Sequence, residues 1–211
     1  MSTAVIGTGV LGSVIARLLA SGGETLRLSS ADEESARALA AEIGAGAVVA
    51  SDNRGALRGA DAVVLALRFT VLEGVINEIA GPLSGKLVVV PSNPLSTDAH
   101  GKVSRVLPEG QSSGEVLAGW LPDGARLAMA FGTLSADVLE SSSRRSPQPA
   151  VLFYLSDDDR AGAEVELLIR AAGFAPVRAG DIDQSDRLEV GGDLHERVVD
   201  PAQARSLIDS G

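Results

Sequence analysis

The sequence predicts an α/β fold, a doubly wound and mostly parallel sheet with a short C-terminal appendage, and three observations predict it. Short apolar runs of strand length alternate with stretches of helical period across residues 3–172, the pattern of repeated βαβ units. The run Ala62-Val63-Val64-Leu65-Ala66-Leu67 is apolar throughout instead of alternating, as expected for a parallel strand covered on both faces. The first strand, Thr3-Ala4-Val5-Ile6, feeds straight into Gly7-Thr8-Gly9-Val10-Leu11-Gly12 and then into a helix, the setting of a phosphate-cradling glycine loop.

The elements follow in order. Residues 13–20 form the helix that leaves the loop, 25–28 the second strand, and 33–43 a helix whose apolar stripe is Ala36, Leu39, Ala40 and Ile43. Residues 47–49 make a short third strand and 62–67 the fourth. A helix over 71–79 stops at Gly81-Pro82, and the strand over 87–90 ends at Pro91. A helix over 114–121 and strands over 126–130 and 151–155 continue the alternation, with the Ser-, Arg- and Pro-containing stretch 141–149 as a surface loop. Asp157-Asp158-Asp159 can cap a helix that runs to Ala172 and stops at Gly173. From Gly180 the chain is polar, and Asp200-Pro201 opens a short terminal helix with proline at its first position. The expected organisation is a dinucleotide-binding Rossmann domain over 1–180 and an appendage over 181–211 packed on it.

Each glycine of the loop has a physical task. Gly7 permits the tight turn, Gly9 lets backbone N–H groups approach a pyrophosphate with no Cβ in the way, and Gly12 lets the helix pack close to the strand. Thr8, Val10 and Leu11 complete the cradle, and the pyrophosphate then sits at the positive end of the helix dipole.

Composition narrows the partners. Hydrophobic residues make up 45% of the chain and aromatic ones only 3%, so the interior is built from small aliphatic side chains. A net charge of -10 argues against nucleic acid or an anionic membrane, which both need a basic surface. With no cysteine, disulfides, thiolate metal sites and cysteine nucleophiles are excluded, and no metal site is expected. No signal-like segment opens the chain and no apolar stretch approaches the roughly 20 residues that cross a bilayer, so a soluble cytoplasmic protein is expected.

In such a fold the ligand lies across the carboxyl ends of the strands, where the strand order reverses. Ser29 and Ser30 follow the second strand and face the adenosine ribose or its 2′-phosphate, with hydroxyls and no clamp; Asp32 reads better as a helix cap, in a capping box opened by Ser30, than as a ribose ligand. Leu67 ends the fourth strand and Arg68 follows it, Asn93 and Pro94 follow the fifth, and all four are on the nicotinamide side. Phe131, Gly132 and Thr133 follow the sixth and border a redox acceptor. The two histidines, His100 and His195, stand in no recognisable catalytic setting, and no catalytic residue is assigned.

Several of these motifs occur together in an order that resembles the bacterial and archaeal NADP oxidoreductases dependent on the deazaflavin coenzyme F-420. They are the glycine loop, Pro91-Ser92-Asn93-Pro94-Leu95, Ser112-Ser113-Gly114-Glu115, and the stretch from Ala130-Phe131-Gly132-Thr133 to Asp137-Val138-Leu139. The run over 151–155, Asp157-Asp158, Gly173-Phe174 and Ala179-Gly180 extend the similarity over about residues 3–187. The resemblance implies NADP, with NAD an alternative, as one cofactor and the deazaflavin as co-substrate, with hydride passing between nicotinamide C4 and deazaflavin C5. Such a reaction is driven mostly by holding two rings face to face, and a shallow acceptor site leaves room for a homodimer in which a partner subunit helps cover the ring.

Three departures stand out. Ser29-Ser30 is followed by acids where the family carries basic residues, Phe131-Gly132-Thr133 stands where many relatives read Phe-Asn-Thr, and residues 188–197 are polar where the family has an apolar helix. Two other readings stay open: an NAD(P)H-dependent reductase of a flavin, imine or carbonyl compound, and an NAD(P)-binding regulatory module without chemistry.

Overall fold

The computed structural model describes residues 1–209; Ser210 and Gly211, the last two of the expected appendage, lie outside the described residues. Strand β1 (Ser2–Ile6) is followed by α1 (Val10–Ser21), β2 (Thr25–Ser29), α2 (Glu33–Ile43), β3 (Ala47–Val49), the one-turn α3 (Asn53–Ala56), β4 (Ala62–Leu65), α4 (Phe69–Glu78), the short α5 (Ala80–Leu83) and β5 (Leu87–Val90). Then come β6 (Leu95–Thr97), β7 (Val103–Arg105), α6 (Ser113–Trp120), β8 (Arg126–Ala130), α7 (Ala136–Ser142), β9 (Val151–Leu155), α8 (Asp159–Ala171), β10 (Ala175–Gly180), a 3-10 turn (Ile182–Arg187) and α9 (Pro201–Asp209).

Eight strands form one sheet in the order β3-β2-β1-β4-β5-β8-β9-β10, while β6 and β7 make a separate antiparallel hairpin. The first six sheet strands are all parallel, β8 and β9 pair antiparallel, and β9 and β10 pair parallel. Strand order reverses between β1 and β4, which opens a crevice at their carboxyl ends.

Alternate residues of each strand face opposite sides of the sheet, so two cores form. Val5, Val64, Val89 and Ala128 join Ile15 and Leu19 of α1 and Leu168 of α8 on one side. Ile6, Leu65, Val90 and Met129 join Leu72 and Ile76 of α4 and Leu117 of α6 on the other. Burying each Val, Leu or Ile side chain stabilises the fold by about 1.5–3 kcal/mol, so a sheet covered on both faces holds together with few aromatics.

The expected strands and helices are found with shifts of one to three residues at their ends, and five segments differ further. Pro82 does not stop the chain's helical path: it sits in the first turn of α5, where its missing N–H has no partner to lose. Helix α7 reaches Ser142, inside the stretch expected as loop, and Ser141 Oγ donates back to the Asp137 carbonyl at 2.8 Å. The hairpin, the four-residue α3 and β10 carry little apolar periodicity, the hairpin because its strands are largely exposed and β10 because it pairs on one edge only. The terminal helix begins at Pro201 as expected, with Asp200 Oδ1 accepting from the Ala202 and Gln203 amides.

Candidate functional site

The chain leaves β1 and turns at Gly7, whose φ is 99°. A Cβ there would lie 2.3 Å from the Ala66 carbonyl oxygen, so the close approach of the end of β4 dictates glycine as much as the turn does. A Cβ on Gly12 would lie 2.0 Å from the Gly7 carbonyl oxygen. Gly9 differs from both: its Cβ would meet nothing within 4 Å. It is the N-cap of α1, no side chain caps that end, and no acid stands in the first turn. The first-turn amides of Val10, Leu11 and Gly12 are therefore an uncapped donor set at the positive end of a 12-residue helix, the chemistry of an anion seat. Val10 beside them is 80% exposed.

Thr8 turns inward, its Oγ1 lying 3.0 Å from Ser35 Oγ. Ser13 and Ser35 both donate their hydroxyls to the Thr8 carbonyl, at 2.8 and 3.1 Å. The loop is thus braced from α1 and α2, and it is the amide N–H of Thr8, not its hydroxyl or its carbonyl, that remains on offer to a ligand.

One wall of the groove is formed by Ala66, Leu67, Arg68, Pro91, Ser92 and Leu95. Arg68 is exposed and, among the described residues, its guanidinium has no ion-pair or hydrogen-bond partner, so an uncommitted cation stands at the rim of the crevice in a chain of net charge -10. Phe69 is buried against Trp120, the ring centroids 5.3 Å apart, which makes it core.

At the end of β2, Ser29 is buried, and its Oγ donates to Asn53 Oδ1 at 2.8 Å while its carbonyl accepts from the Gly7 amide. Ser30 Oγ accepts from the Asp32 amide at 3.2 Å, and the Asp32 carboxylate accepts from the Ser35 amide at 3.2 Å. Asp32 is a helix cap as expected, but it is itself the N-cap of α2; the capping box opened by Ser30 is not formed, because the carboxylate two residues later already reaches the helix amide.

The residues expected to meet the acceptor come together at the ends of β5 and β8, yet they lie under the C-terminal segment. Phe131 is fully buried with a φ of 68°, a conformation L residues seldom adopt. Thr133 is 2% exposed, and its carbonyl accepts from the Glu196 amide at 2.8 Å. A Cβ on Gly132 would lie 2.1 Å from the Pro91 carbonyl oxygen, so a side chain such as asparagine has no room at this position. Both ends of the Asn93 amide are committed: Nδ2 donates to the Gly132 carbonyl at 3.1 Å and Oδ1 accepts from the Val190 amide at 2.8 Å. Pro94 is buried, and its carbonyl accepts from the Val106 amide.

A buried carboxylate that no local pattern announces closes this end. Glu189 is 5% exposed and accepts from Ser113 Oγ at 2.5 Å, from Ser185 Oγ at 3.0 Å and from the Arg105 guanidinium. It lines a small cavity with Ser92, Asn93, Met129, Gly132 and Leu188. Arg105 comes from β7, 84 residues earlier, so the pair is invisible to any reading of sequence spacing. Neither histidine lines the groove or this cavity. Among the described residues no group of three His, Cys, Asp or Glu side chains could hold a metal ion, and no helix is long and apolar enough to cross a membrane.

A mostly parallel sheet with this strand order and an uncapped glycine loop at its switch point is a Rossmann-like NAD(P)-binding fold, and comparison with known proteins classes the protein as an NAD(P)-dependent oxidoreductase. Residues 2–94 match a family described as NADP oxidoreductase, coenzyme F420-dependent, and the resemblance expected from the sequence is borne out over that stretch. Among solved structures, a hypothetical protein from Sinorhizobium meliloti is 25% identical with a TM-score of 0.83, the match covering 95% of each chain. A protein from Arthrobacter sp. FB24, described as a candidate F420-dependent NADP reductase, is 25% identical with a TM-score of 0.74, covering 88% of this chain and 87% of that one. An imine reductase from Bacillus cereus is 21% identical with a TM-score of 0.61; the match covers 86% of this chain and 55% of the reductase, so the likeness is one of fold. No protein of curated function matches the chain.

Proposed function

We propose that the protein passes a hydride between a nicotinamide dinucleotide and a flat redox acceptor, the deazaflavin coenzyme F-420 being the first acceptor to test. The observation that carries this reading is the open space in front of Gly9 at an uncapped helix end, beside the free guanidinium of Arg68. The description of the matching family and that of the Arthrobacter protein both name F420, which supports the choice of acceptor.

In this reading Gly7, Gly9 and the amides of Val10, Leu11 and Gly12 hold the diphosphate, and Ser30 lies toward the adenosine ribose. Leu67 and Arg68 flank the nicotinamide half, and Asn93 and Pro94 fix the wall behind the ring. The bound dinucleotide supplies or takes up the hydride at its nicotinamide ring. The chain's own contribution is placement: Asn93 ties the end of β8 to the C-terminal segment, which keeps the ends of β5 and β8 in a fixed relation. Phe131, Gly132 and Thr133 back the acceptor from beneath, and the apolar side chains of Val10, Leu67 and Leu95 leave an open rim against which a planar ring excludes water.

Stopped-flow oxidation of NADH and NADPH with deazaflavin, with flavin, with a cyclic imine and with no acceptor tests this. Loss of reduced nicotinamide matched by deazaflavin reduction is the expected result. Turnover of the imine alone would move the protein to the reductases of small substrates, and dinucleotide binding without turnover of any acceptor would make it a binding module.

A further inference from the structure

The adenosine end of the groove is acidic where a second phosphate would have to lie. Ser30, Ala31, Glu33, Asp52, Asn53 and Glu78 border the depression beyond β2, and no lysine or arginine lines it. The nearest cations are already committed. Arg37 donates to the Glu33 carboxylate at 2.5 Å, Arg54 to the Glu78 backbone carbonyl at 2.6 Å, and Arg27 to the carbonyls of Ala56 and Gly55 at 3.2 Å. The N-terminus of α2, the other positive feature at this spot, is occupied too: Asp32 caps it, and Glu33 and Glu34 stand in its first turn. Asp52 caps α3 through the Gly55 amide at 2.5 Å, which fixes another carboxylate on the opposite side of the depression.

A 2′-phosphate brings close to two negative charges into this space and finds carboxylates and no bidentate donor. A free ribose diol needs acceptors for its hydroxyl hydrogens, and carboxylates, an amide and a serine hydroxyl are acceptors. We propose that this site selects NAD(H) over NADP(H), with the acids at the start of α2 and α3 rejecting the 2′-phosphate. The inference rests on the dinucleotide reading above and departs from the cofactor that the matching family's description names.

The test compares NADH with NADPH, and 5′-ADP with 2′,5′-ADP, by calorimetric titration of the unaltered protein at low salt. NADH is expected to bind at least about 30-fold more tightly than NADPH, with the same order for the two ADP probes, and the gap narrows as salt screens the carboxylates. The double variant Ala31→Arg with Glu33→Gln, checked for folding by its melting temperature, should move the ratio toward NADPH by about tenfold or more. NADPH binding as well as or better than NADH overturns the inference and leaves the dinucleotide reading standing. A gap that the double variant does not move overturns the assignment to these acids. Binding of neither dinucleotide overturns both.

Discussion

The two ends of the crevice are built on opposite principles. At the β1–α1 end the chain leaves its hydrogen-bonding groups on offer: the first-turn amides are uncapped, the Arg68 guanidinium has no partner among the described residues, and a Cβ on Gly9 would meet nothing within 4 Å. At the β8 end the same kinds of group are used up internally, with Asn93 bonded at both ends, Thr133 bonded to Glu196 and Glu189 saturated by two serines and an arginine. Unused donors cost stability unless water or a ligand reaches them, so the first end is shaped for something that comes and goes and the second for permanence. In the reaction proposed above, an acceptor ring would therefore approach over the rim at Val10, Leu67 and Leu95 and not from beneath β8.

The comparison breaks most decisively at Gly9. Gly9→Val places its side chain in open space, so the melting temperature should hold while calorimetry shows dinucleotide affinity falling by about 100-fold, or about 3 kcal/mol. Retained affinity would mean the open end is not the diphosphate seat. The closed end gives the converse result. Gly132→Asn drives a Cβ into the Pro91 carbonyl and should destabilise the fold by about 2–3 kcal/mol in urea denaturation; an unaltered midpoint would show that β5 and β8 part easily.

Glu189→Gln keeps acceptors for Ser113 and Ser185 but leaves the Arg105 guanidinium without its carboxylate, a loss of about 1–3 kcal/mol by the same measurement. Arg68→Ala should cost about tenfold in dinucleotide affinity at low salt, or about 1.4 kcal/mol, with the difference shrinking as salt rises and stability untouched. A salt-independent difference would take the charge out of the argument.

The smallest effect is one of pH. Arg187 donates to Asp193 at 2.9 Å and holds its carboxyl below the usual carboxylate range. A depressed folded pKa stabilises above the ordinary carboxylate pKa, and the contribution disappears as pH falls through the folded value. The Asp193 side chain is half exposed, so Asp193→Asn should remove less than about 1 kcal/mol at neutral pH and flatten the acid limb of the stability profile. An acid limb identical to that of the unaltered protein would assign the acid response to other carboxylates.

What could be read from sequence follows the range of the forces involved. The strands over 62–65, 87–90 and 151–155 announce themselves because a strand buried on both faces has to be apolar at every position. The glycine loop is legible because two of its glycines, Gly7 and Gly12, answer to backbone contacts set within the loop itself and by the strand next to it. Asn93 and Gly132 could be placed at strand ends but not joined, since the bonds that join them run between segments with no common local pattern. The bond from Asn93 to Val190 spans 97 residues, and the partners of Glu189 come from three different elements. The hairpin and β10 stayed hidden because exposed or edge strands are not obliged to be apolar.

The seams that bind the last quarter of the chain to its middle also bear on how the polypeptide is made. Val151 bonds to Val199, Thr133 to Glu196, Ser113 to Glu189 and Asn93 to Val190, so the first of them waits for residue 189 to be made and the last for residue 199. The strands from β1 to β5, which hold the glycine loop, are complete more than a hundred residues earlier and depend on shorter-range pairing. The N-terminal strands thus have their sheet partners before the far edge exists, while α1 still waits for Leu139 of α7 and Leu168 of α8 to complete its core.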